Sequence, residues 1–191
     1  MSLIYFVTHP DVVIDKDIPI PRWDLSDVGV SRTKKLLKKD WIETIDVIFS
    51  STEEKAKTTA KIVAEHLNLP FNQVESLGEM NRSSTGLLEE KEFWREVKKF
   101  FANPDESIRG WERAIDVQNR IVKAVRGVIE NLPKESNILI AAHGANGALL
   151  LTHLKRKSIS MEEEQPGDGG GNYFVFNKKM KLIQDWKPID L

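Results

Sequence analysis

The sequence predicts an α/β fold of three layers, in which one mostly parallel mixed sheet is covered by helices on both faces. Short apolar runs alternate along the chain with longer segments of helical periodicity, which is the pattern of a sheet packed between helices. The length of 191 residues, with 40% hydrophobic and 30% charged residues, is ordinary for one soluble globular unit. Neither an internal repeat nor a linker-like stretch interrupts the pattern, so we expect a single domain over residues 1–191.

Five short runs have the composition and length of β-strands. In chain order they are residues 3–7, 46–49, 137–142, 173–176 and 182–186. Two further stretches, "NRSSTG" at 81–86 and "EEEQPGDGGGN" at 162–172, have the composition of mobile loops. The three glycines before Tyr173 fit either a flexible loop or a phosphate cradle, although no GxxxxGK[ST] pattern supports the second.

The helical segments have recognisable starts and ends. Ser26 can cap a helix after the first strand, and Ser51-Thr52-Glu53-Glu54 resembles a capping box with Ser51 as the N-cap residue. Apolar residues at helical spacing predict two more helices, which end at Asn103-Pro104 and at Pro133. A last helix follows His143. With the strands between them, these helices complete the alternating pattern.

The composition argues against several classes of function. A net charge of -1 leaves no broad basic face for nucleic acid. The absence of cysteine excludes disulfides, thiolate metal sites and a cysteine nucleophile. The four histidines lack metal-binding spacing, so we expect no metal and no other cofactor. No segment has the length and apolar composition of a membrane span or of a signal peptide, so we expect a cytoplasmic protein.

Polar residues that suit an anion site follow three of the predicted strands. His9 follows the first strand, His143 follows the strand at 137–142, and Lys55 lies in the first turn of the helix after the second strand. Because the carboxyl ends of parallel strands line one crevice, we expect these three side chains to face one another. Two helix N-termini would direct their free N–H groups to the same place, which favours an anion.

These residue types favour a phosphoryl group over a carbonyl group. A neutral imidazole can attack phosphorus and hold it as phosphohistidine. The ordinary histidine pKa of about 6.5 leaves enough neutral ring near pH 7 for that attack. A lysine and a second imidazole would neutralise charge on the phosphoryl oxygens. Such electrostatic stabilisation is the main contribution of a protein to phosphoryl transfer.

Six segments together resemble the motifs of one family. They are "IYFVTHPDVV", "DLSDVG", "VIFSSTEEKAKTTAKIVAEHL", "LGEM", "ILIAAHGANGALLL" and "GGGNYFVF". In their order and spacing they are similar to the motifs of the histidine phosphatase superfamily, also called phosphoglycerate mutase-like. The similarity covers most of the chain. It implies the three-layer α/β/α sandwich of that family and a reaction that needs no metal.

The resemblance also implies a role for each matching residue. His9 is the nucleophile, and His143 is a ligand of the phosphate. Glu79, in "LGEM", protonates the leaving oxygen and then activates water. Lys55 stands where the family has an arginine of the phosphate pocket. Ser51 is assigned to the helix cap and takes no part in the predicted chemistry.

The first motif departs from the family pattern. Thr8 and Pro10 stand where the family has an arginine and a glycine on either side of the nucleophile. An arginine fork binds phosphate through two parallel hydrogen bonds, which neither a hydroxyl nor a lysine can replace. Arg82, three residues after Glu79, or Arg22, in the loop after the first strand, can restore the lost charge. The Thr8 hydroxyl is a further candidate ligand of the phosphoryl oxygens.

Two hypotheses follow from these residues. The first is a metal-independent phosphatase that forms phosphohistidine on His9 and acts on a phosphorylated small molecule or a phosphoprotein. The second is a non-catalytic sensor of a phosphorylated ligand, which Thr8 and Pro10 favour. Hydrolysis that disappears in His9→Ala distinguishes the two. The sequence specifies neither the substrate nor the oligomeric state.

Overall fold

A mixed β-sheet lies at the centre of the computed structural model, which describes residues 2–191. The strands are β1 (Leu3–Thr8), β2 (Val47–Ser50), β3 (Phe71–Gln73), β4 (Ile138–Ala142), β5 (Asn172–Asn177) and β6 (Leu182–Pro188). The helices are α1 (Asp27–Leu36), α2 (Glu54–Leu67), α3 (Glu90–Ala102), α4 (Ala114–Glu130) and α5 (Gly144–Lys155). The five strands predicted from the sequence are therefore confirmed to within two residues at each end.

The sheet is mostly parallel, as predicted. Its order is β3-β2-β4-β1-β5-β6, with parallel pairing from β3 to β1 and antiparallel pairing of β5 with both of its neighbours. In the register of the parallel strands, Thr8 lies opposite Ala142 and Ser50 lies opposite Ala141. The strands β1, β2 and β4 therefore end at the same edge, and the residues that follow them are neighbours.

Alternate residues of β1 point to the two faces of the sheet. Ile4 and Phe6 belong to one buried cluster, which includes residues of α4 and α5. Tyr5 and Val7 belong to a second cluster, which includes residues of α1 and α2. This arrangement confirms the predicted three-layer sandwich. None of the helices in residues 2–191 is long and apolar enough to span a membrane.

The helix α3 contributes to a third cluster beside the main core. Phe100 and Phe101 are fully buried there against Trp111 and against Leu149 of α5. Phe100 and Phe101 are therefore packing residues, and the same cluster includes Met80 and Leu88 from the segment that leads into the candidate site.

Two elements differ from the sequence prediction. The edge strand β3 was not predicted, because its sequence Phe-Asn-Gln is too short and too polar to show a strand pattern. The predicted capping box is wrong: α2 begins at Glu54, and Glu53 rather than Ser51 is the N-cap residue. The Ser51 hydroxyl accepts the Glu53 N–H at 3.3 Å but faces the ring of His143, so its position is set by a tertiary contact. The N-cap of α1, by contrast, is Ser26 as predicted, with its hydroxyl accepting from the Gly29 N–H.

Candidate active site

His9, His143 and Glu79 meet where β1 and β4 end. The His9 N–H donates to the carbonyl of Ala142 at 3.0 Å, which continues the β1–β4 pairing by one residue. The centroids of the two imidazole rings are 5.3 Å apart, with the rings near perpendicular. One donor atom from each of the three side chains lies within 4.8 Å of the other two. The structure thus brings together the three residues predicted to be catalytic.

The geometry of His9 leaves one ring nitrogen free to react. Its Nδ1 lies 2.9 Å from the carbonyl oxygen of Pro10, and because a carbonyl only accepts, Nδ1 is the protonated nitrogen. The lone pair is therefore on Nε2. Burial, and then the positive charge of Lys55, lower the pKa of His9 to about 4. The ring is neutral at pH 7, which is the form that can attack phosphorus.

Ser51 orients the second imidazole. Its hydroxyl lies 2.7 Å from Nε2 of the fully buried His143. The same hydroxyl accepts the Glu53 N–H, which leaves it a proton and a second lone pair for the bond to Nε2. Nδ1 of His143 has no hydrogen-bond partner within residues 2–191 and faces Glu79 at 3.7 Å. Ser51 is thus part of the candidate site, contrary to the sequence prediction that it serves only as a cap.

Glu79 has the properties of a proton donor and acceptor. Burial raises its pKa to about 7, and the negative charge of Glu53 contributes to the increase. Lys55 and Arg82 oppose that increase. A carboxyl group that titrates near neutral pH can protonate a leaving oxygen and then take a proton from water.

Glu53 is a site residue that the sequence reasoning missed. Its carboxylate is buried and accepts the backbone N–H of Glu79 at 2.7 Å through Oε1. Its second oxygen binds the Lys55 ammonium at 2.5 Å, and Oε1 lies 3.7 Å from Nε2 of His143. The sequence does show an acidic residue two positions before the candidate lysine. Its interpretation as part of a capping box drew attention away from a role in the site.

Lys55 lies near the histidines, but its charge is largely used inside the protein. Its side chain is buried, and Nζ donates to the Glu53 carboxylate and to the carbonyl of Ile20. Its backbone N–H donates to the carbonyl of Trp23, so the N-terminus of α2 is partly closed to an anion. At α5, the first intrahelical bond runs from Gly147 to His143, and the preceding N–H groups have no partner inside the helix.

The structure places the two candidate arginines differently. Arg82 lines the cleft beside Glu79, with its guanidinium 5.0 Å from the centroid of the Phe93 ring and Nη1 donating to the carbonyl of Gly86. Arg22 is exposed and is not among the residues that line the cleft. Of the two arginines, Arg82 is the one positioned to meet a phosphorylated ligand.

Thr8 is buried away from the cleft. Its hydroxyl bonds to Oε1 of Gln165 at 2.7 Å and accepts the backbone N–H of Asn172 at 2.9 Å. The structure therefore does not bring Thr8 to the place of a phosphate ligand. The amide nitrogen of Gln165 instead lies against Gly144, where a Cβ atom would be only 2.2 Å from it.

The glycine-rich segment packs against the backbone of the nucleophile. The carbonyl of His9 accepts the Gly171 N–H at 3.1 Å, and Arg32 binds the carbonyl of Gly170 at 2.9 Å. Arg32 also pairs with Asp11 at 2.8 Å. The segment is therefore a structural support for residues 9–11, which neither of the two sequence hypotheses for it had described.

The three catalytic candidates are also potential metal ligands. Two imidazoles and a carboxylate with donor atoms within 4.8 Å of one another are a familiar ligand set for zinc. The prediction of a metal-free site rested on spacing along the chain, which does not detect residues 9, 79 and 143 as a group. The ammonium of Lys55, close enough to lower the pKa of both imidazoles, opposes a cation here.

A cleft of about 620 Å³ opens beside Glu79. Its lining consists of residues 15–21 and Trp23, which we call the first wall, of residues 79–83, 86 and 87, which we call the second wall, and of Glu53. This volume suits a small organic ligand.

The model of the family described as histidine phosphatase superfamily (branch 1) matches residues 14–173. The match begins after Thr8-His9-Pro10, so it does not include the divergent motif. No curated protein matches the sequence significantly.

Several solved structures share this fold. A mycobacterial glucosyl-3-phosphoglycerate phosphatase in complex with inorganic phosphate has a TM-score of 0.79 at 15% identity, over 100% of both chains. YhfR of Bacillus stearothermophilus has a TM-score of 0.76 at 19% identity, over 96% of this chain and 95% of that one. A phosphoserine phosphatase of Entamoeba histolytica in complex with 3-phosphoglyceric acid has a TM-score of 0.77 at 15% identity, over 100% of both chains. At these identities the similarity establishes the fold.

Proposed function

Because the chain belongs to the histidine phosphatase superfamily, we propose that it is a phosphomonoesterase that acts through a phosphohistidine on His9. The observation that supports this most directly is the pairing of two groups at the end of β1. A neutral imidazole with its lone pair on Nε2 lies within 4.8 Å of a carboxyl group whose pKa is about 7. One group can attack phosphorus, and the other can supply the proton that the leaving group needs.

The first half of the reaction transfers the phosphoryl group to the protein. Nε2 of His9 attacks phosphorus, and the bond from phosphorus to the ester oxygen breaks. Glu79 gives its proton to that oxygen, so the alcohol leaves neutral. The second half reverses the roles: the Glu79 carboxylate takes a proton from water, the water oxygen attacks phosphorus, and the nitrogen–phosphorus bond breaks.

The phosphoryl oxygens are held by few full charges. In the tautomer in which Ser51 donates to Nε2, His143 offers its otherwise unpartnered Nδ1–H, and the N–H groups at the start of α5 that have no partner inside the helix offer neutral donors. Lys55 supplies a positive charge that Glu53 partly offsets. Arg82 supplies the remaining charge from the cleft side. We propose that these groups together take the place of the two arginine forks that the family has at the positions of Thr8 and Lys55.

A substitution series tests this function. With excess chelator present, we expect wild type to hydrolyse an aryl phosphate and His9→Ala to lose at least about 10³-fold in kcat/KM. His66→Ala is the matched control, because His66 is exposed and pairs with Glu43 away from the site. Labelled phosphate that is trapped on wild type, stable in alkali and absent from His9→Ala would identify the intermediate. Equal hydrolysis by wild type and His9→Ala would refute the proposal.

The second candidate function is a sensor that binds a phosphorylated ligand without turnover. Two observations favour it: Thr8 is buried in place of a pocket arginine, and the Lys55 charge is compensated by Glu53. A sensor would show an increase in melting temperature with inorganic phosphate but no hydrolysis by wild type.

A further inference from the structure

The cleft beside Glu79 must receive the alcohol part of the substrate if the proposed function is correct. Glu79 is the group that protonates the ester oxygen, and it forms part of the cleft wall. The atoms attached to that oxygen therefore extend into the space between residues 15–23 and residues 80–87. The chemistry of these two walls then decides which alcohol fits.

The walls present mostly hydrocarbon. One wall contains Ile18, Ile20 and Trp23, and Met80 and Leu87 lie on the other. The indole N–H of Trp23 is already used, because it donates to the backbone carbonyls of Asp15 and Ile18 at 2.7 and 3.0 Å. The ring therefore offers only its apolar surface to a ligand.

Two large apolar side chains remain uncovered at the cleft. Ile18 of the first wall is 41% exposed, and Leu87 of the second wall is 44% exposed. Exposed apolar side chains that line a concave site commonly gain their burial from a bound ligand. A ligand with an apolar part would cover both.

The two cations of the cleft lining, Arg82 and Lys16, each have acidic groups beside them. Arg82 already binds the carbonyl of Gly86, stacks on Phe93 and faces Glu79 and Glu53. Lys16 is flanked in the sequence by Asp15 and Asp17, which also line the cleft, so residues 15–17 have a net negative charge. A carboxylate there would meet repulsion and an apolar wall.

We propose that the substrate is a phosphate monoester of an uncharged, apolar alcohol, either aryl or medium-chain alkyl, and that Ile18 and Leu87 select it. This inference rests on the proposed function and narrows its substrate class. It separates the chain from the structurally similar phosphatases that are named for phosphoserine and glucosyl-3-phosphoglycerate, since those compounds have a carboxylate close to the phosphate. The fold is shared, and the wall chemistry of this chain sets its selectivity.

A comparison of hexyl phosphate with ethyl phosphate tests the proposal. Both release a simple alkoxide, so a difference in kcat/KM reports contact with the longer chain. We expect hexyl phosphate to be preferred at least tenfold, and phosphoserine and 3-phosphoglycerate to be poorer than ethyl phosphate. Leu87→Asp should remove most of the hexyl preference, because it should lower kcat/KM for hexyl phosphate far more than for ethyl phosphate.

The control is Ile183→Asp, because Ile183 is 48% exposed on β6, outside the cleft. It should leave the hexyl preference intact. Leu87→Ala, which adds no charge, guards against misfolding of Leu87→Asp and should reduce the preference partly. A wild-type preference for phosphoserine or 3-phosphoglycerate, or a hexyl preference unchanged in both Leu87 variants, would overturn the inference.

Binding to the His9→Ala chain separates this inference from the proposed function. If wild type hydrolyses none of the esters, the proposed function fails. Tighter binding of hexyl phosphate than of ethyl phosphate or phosphoserine to His9→Ala, measured by calorimetry, would still support the selectivity. Equal or reversed affinities would refute it independently of turnover.

Discussion

Glu53 contacts more of the candidate site than any sequence pattern indicates. It binds the Lys55 ammonium, holds the backbone of Glu79 and lies near His143. Its negative charge contributes to the raised pKa of Glu79, after burial. Glu53 is therefore a positioning residue that adds to the effect of burial in setting the pH at which Glu79 can donate a proton.

Glu53→Gln should change the pH profile in one direction. Without the neighbouring negative charge, the pKa of Glu79 falls from about 7, because the carboxylate form is less disfavoured. Glu79 then loses its proton at lower pH, and the falling limb of kcat/KM against pH moves to lower pH. We expect a roughly 3–10-fold loss of kcat/KM at pH 8 and little change at pH 5.5. Aryl phosphate hydrolysis across pH measures both.

Glu54→Gln is the matched control for this substitution. Glu54 is the next residue, and its carboxylate is half-exposed and pairs with Lys57. Glu54→Gln should leave the falling limb of kcat/KM against pH unchanged. Glu53→Gln also frees the charge of Lys55, so phosphate should bind more tightly. If the falling limb of Glu53→Gln stays at the wild-type pH or moves to higher pH, Glu53 does not raise the pKa of Glu79.

At the scale of elements, the glycine-rich segment before β5 packs against the backbone of His9. Gly170 has a φ of 68°, and a Cβ atom there would lie 2.5 Å from the backbone carbonyl oxygen of His9. Gly167 has a similar φ of 75°, but a Cβ atom on it would meet nothing within 4 Å. The two positions share the same backbone requirement and differ only in the close approach to His9.

Gly170→Ala should therefore be more damaging than Gly167→Ala. Each substitution should lower the free energy of unfolding by about 1 kcal/mol, because alanine is strained in the left-handed backbone conformation. Gly170→Ala must also push the segment away from His9, and we expect a further loss of at least about 1 kcal/mol in the free energy of unfolding, with lower kcat. Urea unfolding and aryl phosphate hydrolysis of the two variants measure the difference. Equal losses would show that the contact with His9 is not required.

At the scale of the whole molecule, folding holds two imidazoles in their neutral form. Burial lowers the pKa of His9 to about 4, and it lowers the pKa of His143 as well. An unfolded histidine titrates near 6.5. Between these values the unfolded chain binds more protons than the folded chain, so the stability provided by neutral His9 is present above pH 6.5 and is lost as the pH falls towards 4.

This linkage predicts a stability profile that depends on His9. The difference between about 6.5 and about 4 corresponds to about 3 kcal/mol, and water that reaches the partly exposed ring screens some of it. Between pH 7 and pH 5, wild type should lose about 1–2 kcal/mol more than His9→Ala in urea unfolding. Parallel profiles for wild type and His9→Ala would contradict the predicted burial of a neutral ring.

The same unfolding curves test the domain organisation. The single domain over residues 1–191 stays a prediction, and it implies one cooperative transition. Two resolved transitions would contradict it.

The sequence by itself determined the layers of the fold and the approximate place of the site. Apolar runs of strand length that alternate with helical periodicity are local patterns, so five of the six strands and the three-layer arrangement were predictable. His9 and His143 directly follow strands, and parallel strands end at a common edge. Their meeting therefore needed only the order of the elements, and the family motifs then indicated Glu79.

Only the tertiary structure decided which polar groups serve the site and which serve the fold. Ser51 meets His143 across 92 residues of chain, and Thr8 meets Gln165 across 157. A local pattern assigned the first to a helix cap and the second to a phosphate. Each hydroxyl instead takes the hydrogen-bond partner that packing brings to it, because a buried polar group must be satisfied wherever the fold places it. Pairing in space, which spacing along the chain does not encode, also made Glu53 a partner of both Lys55 and Glu79.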